Sequence, residues 1–439
     1  MIKDNLGRLP KEPVDRFTKS FTQFLRVEAA AGVFLLLCAT IAMAVANSPW
    51  ADPFQAFWET KVGLQWGGVE VSRSLKHWIN DGLLTIFFFV VALELKREVV
   101  LGELRNPRMV GLSAAAALGG MILPAGIFLL VQGGNKGASG WGTVMATDTA
   151  FMIGGLAVLG SRIPQSLRLF LLSLAIFDDI GAILVVAIGY GGVLQWGPLA
   201  MVGIGLLLVF GMARLGIRSI MMYFVAGIFI WFALDASGIH PTLAGVMLGL
   251  MTPARSWVSD NRLHAILNRV VAYPPGDHWS GDTLDRNDLR RAGIAAREAL
   301  SPVERLEISL HPWVAYLIVP AFALANAGVQ VSSAGSFDFV LITAILMGFV
   351  MGKPIGVLVF SYLAVRLKLA VRPPDLSWKV LTAGAMLTGI GFTMALFIAE
   401  LAFGPDLLNT AKLAILGGSV VAAVFGLLAL AVLTPKGGQ

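Results

Sequence analysis

Charge is scarce in this chain. Asp, Glu, Lys and Arg make up 14% of its 439 residues, against about 25% in a soluble domain. That shortage excludes a protein whose whole surface meets water. Cysteine is almost missing. The single Cys38 lies in an apolar run, so an intrachain disulfide is impossible and the redox compartment is unmarked. The five histidines form no constellation with a nucleophile, which argues against an intramembrane protease and against an enzyme in general. No Gly-x-x-x-x-Gly-Lys-Ser/Thr stretch occurs, so a nucleotide-driven pump would have no phosphate loop. Residues 1–26 carry Lys3, Arg8, Lys11, Arg16, Lys19 and Arg26 but no apolar core. They read as a cytoplasmic tail, not a cleaved signal peptide.

What the chain has in excess is hydrophobicity: 56% of residues and a mean hydropathy of +0.77. A hydrocarbon core about 30 Å thick needs roughly 20 apolar helical residues. That pattern recurs over 27–47, 80–97, 108–131, 142–160, 168–191, 197–214, 219–236, 240–252, 310–328, 338–366, 378–402 and 408–434. The eighth is short for a spanning helix. The expected fold is therefore an all-α polytopic membrane protein, one transmembrane domain over 27–435.

The basic residues set the orientation. With the N-terminus inside, Lys61, Arg73, Lys76, Lys136 and Lys412 alone face outward. Lys353 lies within a span, and every other Lys and Arg falls on the inner side. The bias places both termini in the cytoplasm of a bacterial inner membrane. It also accounts for the net charge of +6 without nucleic acid as a partner; the partner is the lipid bilayer. Two loops are long. In the outer loop, 48–79, alternation about Gly67-Gly68 over 61–72 reads as a β-hairpin. Such a hairpin is marginal alone and needs something to pair with. The cytoplasmic loop, 253–309, is highly charged, and its stretch 273–288 is turn-rich and mobile.

Ionisable residues deep in a membrane cost about 2.5–3.5 kcal/mol each on insertion scales, and mark functional sites when they persist. Asp178 and Asp179 stand in Ser173-Leu-Ala-Ile-Phe-Asp-Asp-Ile-Gly-Ala-Ile-Leu184, near the midplane. Neighbours on a helix point about 100° apart, so two adjacent aspartates demand a wide polar sector. Lys353, in Met347-Gly-Phe-Val-Met-Gly-Lys-Pro-Ile-Gly356, lies equally deep and needs a carboxylate partner; its position opposite the two aspartates suggests an ion pair with Asp178. It reads either as a fixed counter-ion or as a group that changes state. Asp148, in Val144-Met-Ala-Thr-Asp-Thr-Ala150, sits toward the outer side if the segment is helical and deeper if it is extended. A helix cap or a vestibule charge are both open to it.

Thr388-Gly-Ile-Gly-Phe-Thr393 combines helix-weakening glycines with polar hydroxyls, so Thr388, Gly389, Gly391 and Thr393 read as an interruption or as small residues for close packing. Spans three to five correspond weakly to spans ten to twelve. The interruptions near Asp148 and Gly389 fall in the middle span of each set, the pattern that points to a transporter site. Glu94-Leu-Lys-Arg-Glu98 ends the second span, and Glu304-Arg-Leu-Glu307 and His311 open the ninth. These charges are interfacial salt bridges or a funnel that gathers cations and senses pH.

Taken together, Ala146-Thr-Asp148, Phe177-Asp-Asp-Ile-Gly-Ala182, Gly352-Lys-Pro354, Thr388-Gly-Ile-Gly-Phe-Thr-Met394, Glu94-Leu-Lys-Arg-Glu98 and Leu310-His-Pro-Trp-Val-Ala-Tyr316 resemble the NhaA family of sodium/proton antiporters. The motifs run in the family's order over about 25–435. That family is itself a standard example of inverted repeats with discontinuous helices. The resemblance implies twelve transmembrane helices, with two broken ones crossing at mid-membrane. It implies that Asp148 and Lys353 compensate half-helix dipoles, and that Asp178 and Asp179 bind the ion and the protons with Thr147 nearby. It implies a homodimer joined through the outer hairpin. Glu98 and Glu307 match positions tied to pH response, and His240 matches a modulatory histidine. Three features depart from the family: Val144 where proline is common, Glu400 where a small residue is usual, and a longer loop at 256–300.

A buried carboxylate pair that holds either sodium (or lithium) or protons, and opens to one side at a time, is an exchanger without any cofactor. Two carboxylates with Lys353 nearby suggest two protons per sodium ion and an electrogenic cycle. A sodium-coupled solute symporter is the alternative and would need a further substrate pocket. A passive cation channel conflicts with a lysine at mid-depth.

Overall fold

The structure is a computed structural model and describes residues 28–66, 69–100, 102, 107–217, 219–273, 284–331 and 337–434. The tail 1–26, the hairpin tip Gly67-Gly68 and residues 274–283 of the turn-rich stretch lie outside the described residues.

Helices dominate. The first, α1 (Glu28–Ala46), turns by 116° at Ser48-Pro49 into a short α2 (Ala51–Glu59). Proline has no N–H and cannot continue a helix. An antiparallel hairpin follows, β1 (Lys61–Trp66) with β2 (Val69–Ser74), pairing Lys61 with Ser74 and Trp66 with Val69. It runs two residues beyond the predicted 61–72. Arg73 ties it to Asp235 at 3.0 Å, and the Trp78 indole donates to the Val62 carbonyl at 2.9 Å.

A π-helical turn, Trp78–Leu83, leads into α3 (Leu84–Val100). Next comes α4 (Pro107–Gln132), then a 3₁₀ segment, Lys136–Val144, bent by 45° from α5 (Thr149–Leu159). The chain continues through α6 (Gln165–Gly189), α7 (Trp196–Arg214), α8 (Ile220–Ser237) and α9 (Leu243–Met251). The charged loop folds into two amphipathic helices, α10 (Asp260–Val271) and α11 (Leu284–Glu298); hence residues 284–288 are helical and not a turn. A Ser301–Glu304 capping box starts α12 (Pro302–Trp313). A π turn, Val314–Ile318, joins it to α13 (Val319–Asn326).

Then α14 (Phe339–Met347), a third π turn (Gly348–Gly352) and α15 (Lys353–Arg366) form one long rod. The π turn has a local cause: Pro354 offers no N–H to the Val350 carbonyl, and the Lys353 N–H reaches back five residues to Gly348. Such bulges concentrate at functional sites. Last come α16 (Trp378–Leu387), bent by 49° from α17 (Phe392–Ala402), and α18 (Pro405–Leu433).

Among the described residues, seven helices are long and apolar enough to cross a membrane, or ten if each of three bent pairs is one span. Two expected spans fall short for physical reasons. α9 has nine residues, roughly 14 Å of helix, and α3 carries Glu94, Lys96, Arg97 and Glu98 at one end. The count of twelve and the inverted repeats therefore remain expectations.

α15 packs along α4 with almost nothing between the backbones. A Cβ on Gly119 would meet the Gly356 carbonyl oxygen at 2.1 Å, and the reverse holds for Gly356. That contact fixes the depth and rotation of α15, and so aims Lys353, 0% exposed, at the middle of α6.

Candidate functional site

Two of the three bent pairs, Lys136–Val144 with α5 and α16 with α17, are joined where each loses its helix. After Val144 the chain leaves the 3₁₀ segment, and Asp148 is extended (φ −87°, ψ 101°). Of the two backbone conformations open to Asp148, the extended one is found. Its N–H donates to the Ile390 carbonyl at 2.6 Å, and the Thr147 hydroxyl contacts the Thr388 carbonyl at 3.0 Å. Each break thus satisfies polar backbone of the other, which a membrane interior requires. No proline is needed at Val144, which is fully buried.

Gly389 and Gly391 serve both readings offered for them. They lie in the interruption, and a Cβ would meet the Phe349 carbonyl oxygen at 2.4 Å from Gly389 and the Phe349 ring at 2.5 Å from Gly391. The Gly391 N–H donates to the Ser419 hydroxyl at 3.3 Å.

Asp148 caps both second halves. Oδ1 accepts from the Phe151 N–H at 3.1 Å, at the start of α5. Oδ2 accepts from the Thr393 N–H at 3.0 Å and its hydroxyl at 2.6 Å, at the start of α17. One carboxylate therefore meets the partial positive charge of two helix N-termini.

Beside it lies a second cluster. Asp178 is 2% exposed, Thr147 1% and Lys353 0%. The Lys353 ammonium lies 3.1 Å from Asp178 Oδ2 and also donates to the Thr147 hydroxyl, which reaches the same carboxylate oxygen at 2.5 Å. Asp178 Oδ1 is buried and accepts no hydrogen bond from the described residues. Asp179 points to a different sector of α6, is partly exposed, and has no hydrogen bond or ion pair with any described residue. Asp178, the aspartate that the sequence pairs with Lys353, is locked into that ion pair, while its neighbour has no such partner among the described residues.

The other predicted residues form separate groups. Arg97 bridges Glu98 at 2.9 Å and Glu307 at 2.5 Å, with Glu94 one helical turn before Glu98 and the exposed His311 one turn past Glu307 on α12. His240 is not part of that group. It lies 3.6 Å from Asp81, with Nδ1 2.9 Å from the Thr242 hydroxyl. Asp81, which also pairs with His77 at 3.1 Å, was missed, as was the amide pair Asn80–Asn326. Asn80-Asp81 at the head of an apolar run was the available signal.

Two interrupted helical pairs joined at their breaks, with a caged lysine–aspartate pair and beside it an aspartate that has no partner among the described residues, define a membrane protein built to handle a small cation. Residues 22–430 match the family described as Na+/H+ antiporter 1. The chain is 64% identical to the Na(+)/H(+) antiporter NhaA of Rhizobium meliloti (strain 1021), over 99% of both chains. It is 50% identical to the Na(+)/H(+) antiporter NhaA 2 of Vibrio vulnificus (strain CMCP6), over 97% of this chain and 95% of that one. Its fold matches the sodium proton antiporter MjNhaP1 of Methanocaldococcus jannaschii with a TM-score of 0.52 at 12% identity, covering 96% and 95% of the two chains. The chain belongs to the Na+/H+ antiporter 1 family.

Proposed function

We propose that the protein exchanges intracellular sodium, or lithium, for external protons, as a secondary transporter and not an enzyme. The observation that carries the reading is the Asp178–Lys353 pair next to the unpartnered Asp179. Sodium would take Asp179 first, with its hard oxygens, and draw Asp178 away from Lys353. Loss of sodium lets the carboxylates take protons or return to the lysine. One site that is loaded with sodium or with protons, but not both, converts a proton gradient into sodium extrusion. The relatives are named as sodium/proton antiporters, which gives the solute-symporter alternative no support.

Further parts of the reading rest on the resemblance and on the charge pattern. The chain lies in a bacterial inner membrane with both termini in the cytoplasm, and its spans form twelve helices in two inverted repeats. Two copies join through the hairpin. The Glu94–Glu98–Glu307 group with His311 tunes the response to pH from the inner side, with His240 modulating it from elsewhere. Two protons move per sodium ion.

The test uses purified protein in proteoliposomes without organic solute. A sodium pulse should move protons the opposite way, and an imposed membrane potential should alter the rate at zero pH gradient. Sodium-independent proton flux would overturn exchange; exchange indifferent to potential would overturn the two-proton stoichiometry alone.

A further inference from the structure

Glu400 has no part in the site above, yet it is largely buried. Its carboxylate lies 2.5 Å from the Lys412 ammonium and 2.9 Å from that of Lys76. These three residues belong to three different places: α17, the start of α18, and the turn that follows the hairpin. Glu400 lines a cavity of about 270 Å³ shared with Lys76, His77, Asp81, His240 and Phe397. At the other side of Phe397 is a second, apolar void of about 10 Å³, lined by Leu84, Phe87, Val319, Phe322 and Thr393. That is room for about one water. The Phe397 ring, 1% exposed, divides the two. It is wedged against Phe88 at 5.7 Å and His240 at 5.4 Å between ring centres.

Thr393, Phe397 and Glu400 are spaced i, i+4, i+7 and share one face of α17. At its inner end that face holds Asp148 through Thr393. Its middle separates the voids, and its outer end is tied to two lysines. We infer that Phe397 is the plug of the outer half of the exchange pathway, and that the Glu400 ion pairs strap α17 with the plug seated. This rests on the exchange reading and on the proposed orientation. Alternating access requires the outer barrier to yield while the inner one holds. A half-helix anchored at Asp148 is the piece whose tilt would unseat Phe397. Breaking a triad of largely buried charged side chains resists that tilt. Sodium arriving near Asp148 and Thr393 would act on the same helix.

Thiol accessibility tests it, in full-length protein with Cys38 replaced by serine. Leu401→Cys reports on the large cavity and Val319→Cys, nearly isosteric, on the void behind the plug. A membrane-impermeant thiol reagent is applied to intact cells and to inverted vesicles. Leu401→Cys should react from outside. Val319→Cys should be protected, should react severalfold faster when combined with Phe397→Ala or Glu400→Gln, and should stay protected with Phe397→Leu, which keeps apolar bulk.

Equal reaction of Val319→Cys with Phe397 intact or truncated overturns the plug, and an unchanged rate in Glu400→Gln overturns the strap. Reaction of Leu401→Cys from inverted vesicles alone would show that the proposed orientation is reversed, and would overturn the outer gate with it. Sodium-driven proton flux by each double variant, measured separately, reports on the exchange reading itself.

Discussion

Asp148 takes two hydrogen bonds from one residue of the opposite broken helix, the Thr393 N–H at 3.0 Å and its hydroxyl at 2.6 Å. With its bond to the Phe151 N–H, the same carboxylate closes the N-termini of α5 and α17. Asparagine caps a single helix about as well as aspartate, but here each oxygen accepts at a different helix start, so an amide would turn an NH2 toward one N–H and leave that cap unmade. Asp148→Asn should lower the melting temperature of the detergent-solubilised protein and slow exchange. Thr393→Val keeps the backbone donor and should cost less on both counts. Equal damage from the two variants would contradict the double-cap account.

The two neighbouring aspartates should fail differently. Asp179 has no hydrogen bond or ion pair among the described residues, so Asp179→Asn should abolish exchange with little change in melting. Asp178→Asn should abolish exchange and also destabilise, because it weakens the partner of a fully buried ammonium. Near-normal exchange by either variant, in well-inserted protein, would remove that residue from the site.

Much of this site was legible because membranes make ionisable residues conspicuous. Asp148, Asp178, Asp179 and Lys353 stood out against apolar runs; the structure brings Asp178 and Lys353 into contact with Thr147, and Asp148 and Asp179 are each one residue along the chain from that cluster. The extended backbone at Asp148 was open in the sequence, since Val144 gives no break signal of its own. What decides it is a partner far along the chain, the Ile390 carbonyl. The Asp178–Lys353 pair was open to the sequence, but the bare surroundings of Asp179 among the described residues were not, because they depend on how α15 is rotated, and the Gly119–Gly356 contact sets that. α2, α10 and α11 were missed for another reason: they are short and amphipathic, and lie in segments read by their charge and turn residues. Glu400 looked anomalous only until Lys76 and Lys412 were seen beside it.

Packing at the second break gives a sharper stability test. Gly389→Ala would drive a methyl to 2.4 Å from the Phe349 carbonyl oxygen, and overpacking of this kind costs about 1–3 kcal/mol. Gly417 lies in the middle of α18 with nothing within 4 Å of a Cβ. Gly417→Ala should be neutral or mildly stabilising, by up to about 1 kcal/mol, since alanine is the better helix former. Thermal melting of the two variants side by side checks the contrast, and an equally stable Gly389→Ala would mean that the break has room to relax.

Lys353 and Asp178 decide how the site rests between turnovers. The ammonium is 0% exposed and 3.1 Å from the carboxylate, with the Thr147 hydroxyl bonded to both. Removing one member of a buried pair typically costs about 3–5 kcal/mol, because the other is left charged and unsolvated. Lys353→Ala should therefore melt lower as well as exchange more slowly. Lys353→Ala combined with Asp178→Asn leaves no stranded charge, so melting should recover relative to Lys353→Ala alone while two-proton exchange does not. The double-mutant cycle isolates the coupling. A large coupling supports a lysine that releases Asp178 to sodium and takes it back afterwards. Strict additivity would leave Lys353 as a fixed charge beside the crossing of the broken helices, and the second proton of the cycle would then need another carrier.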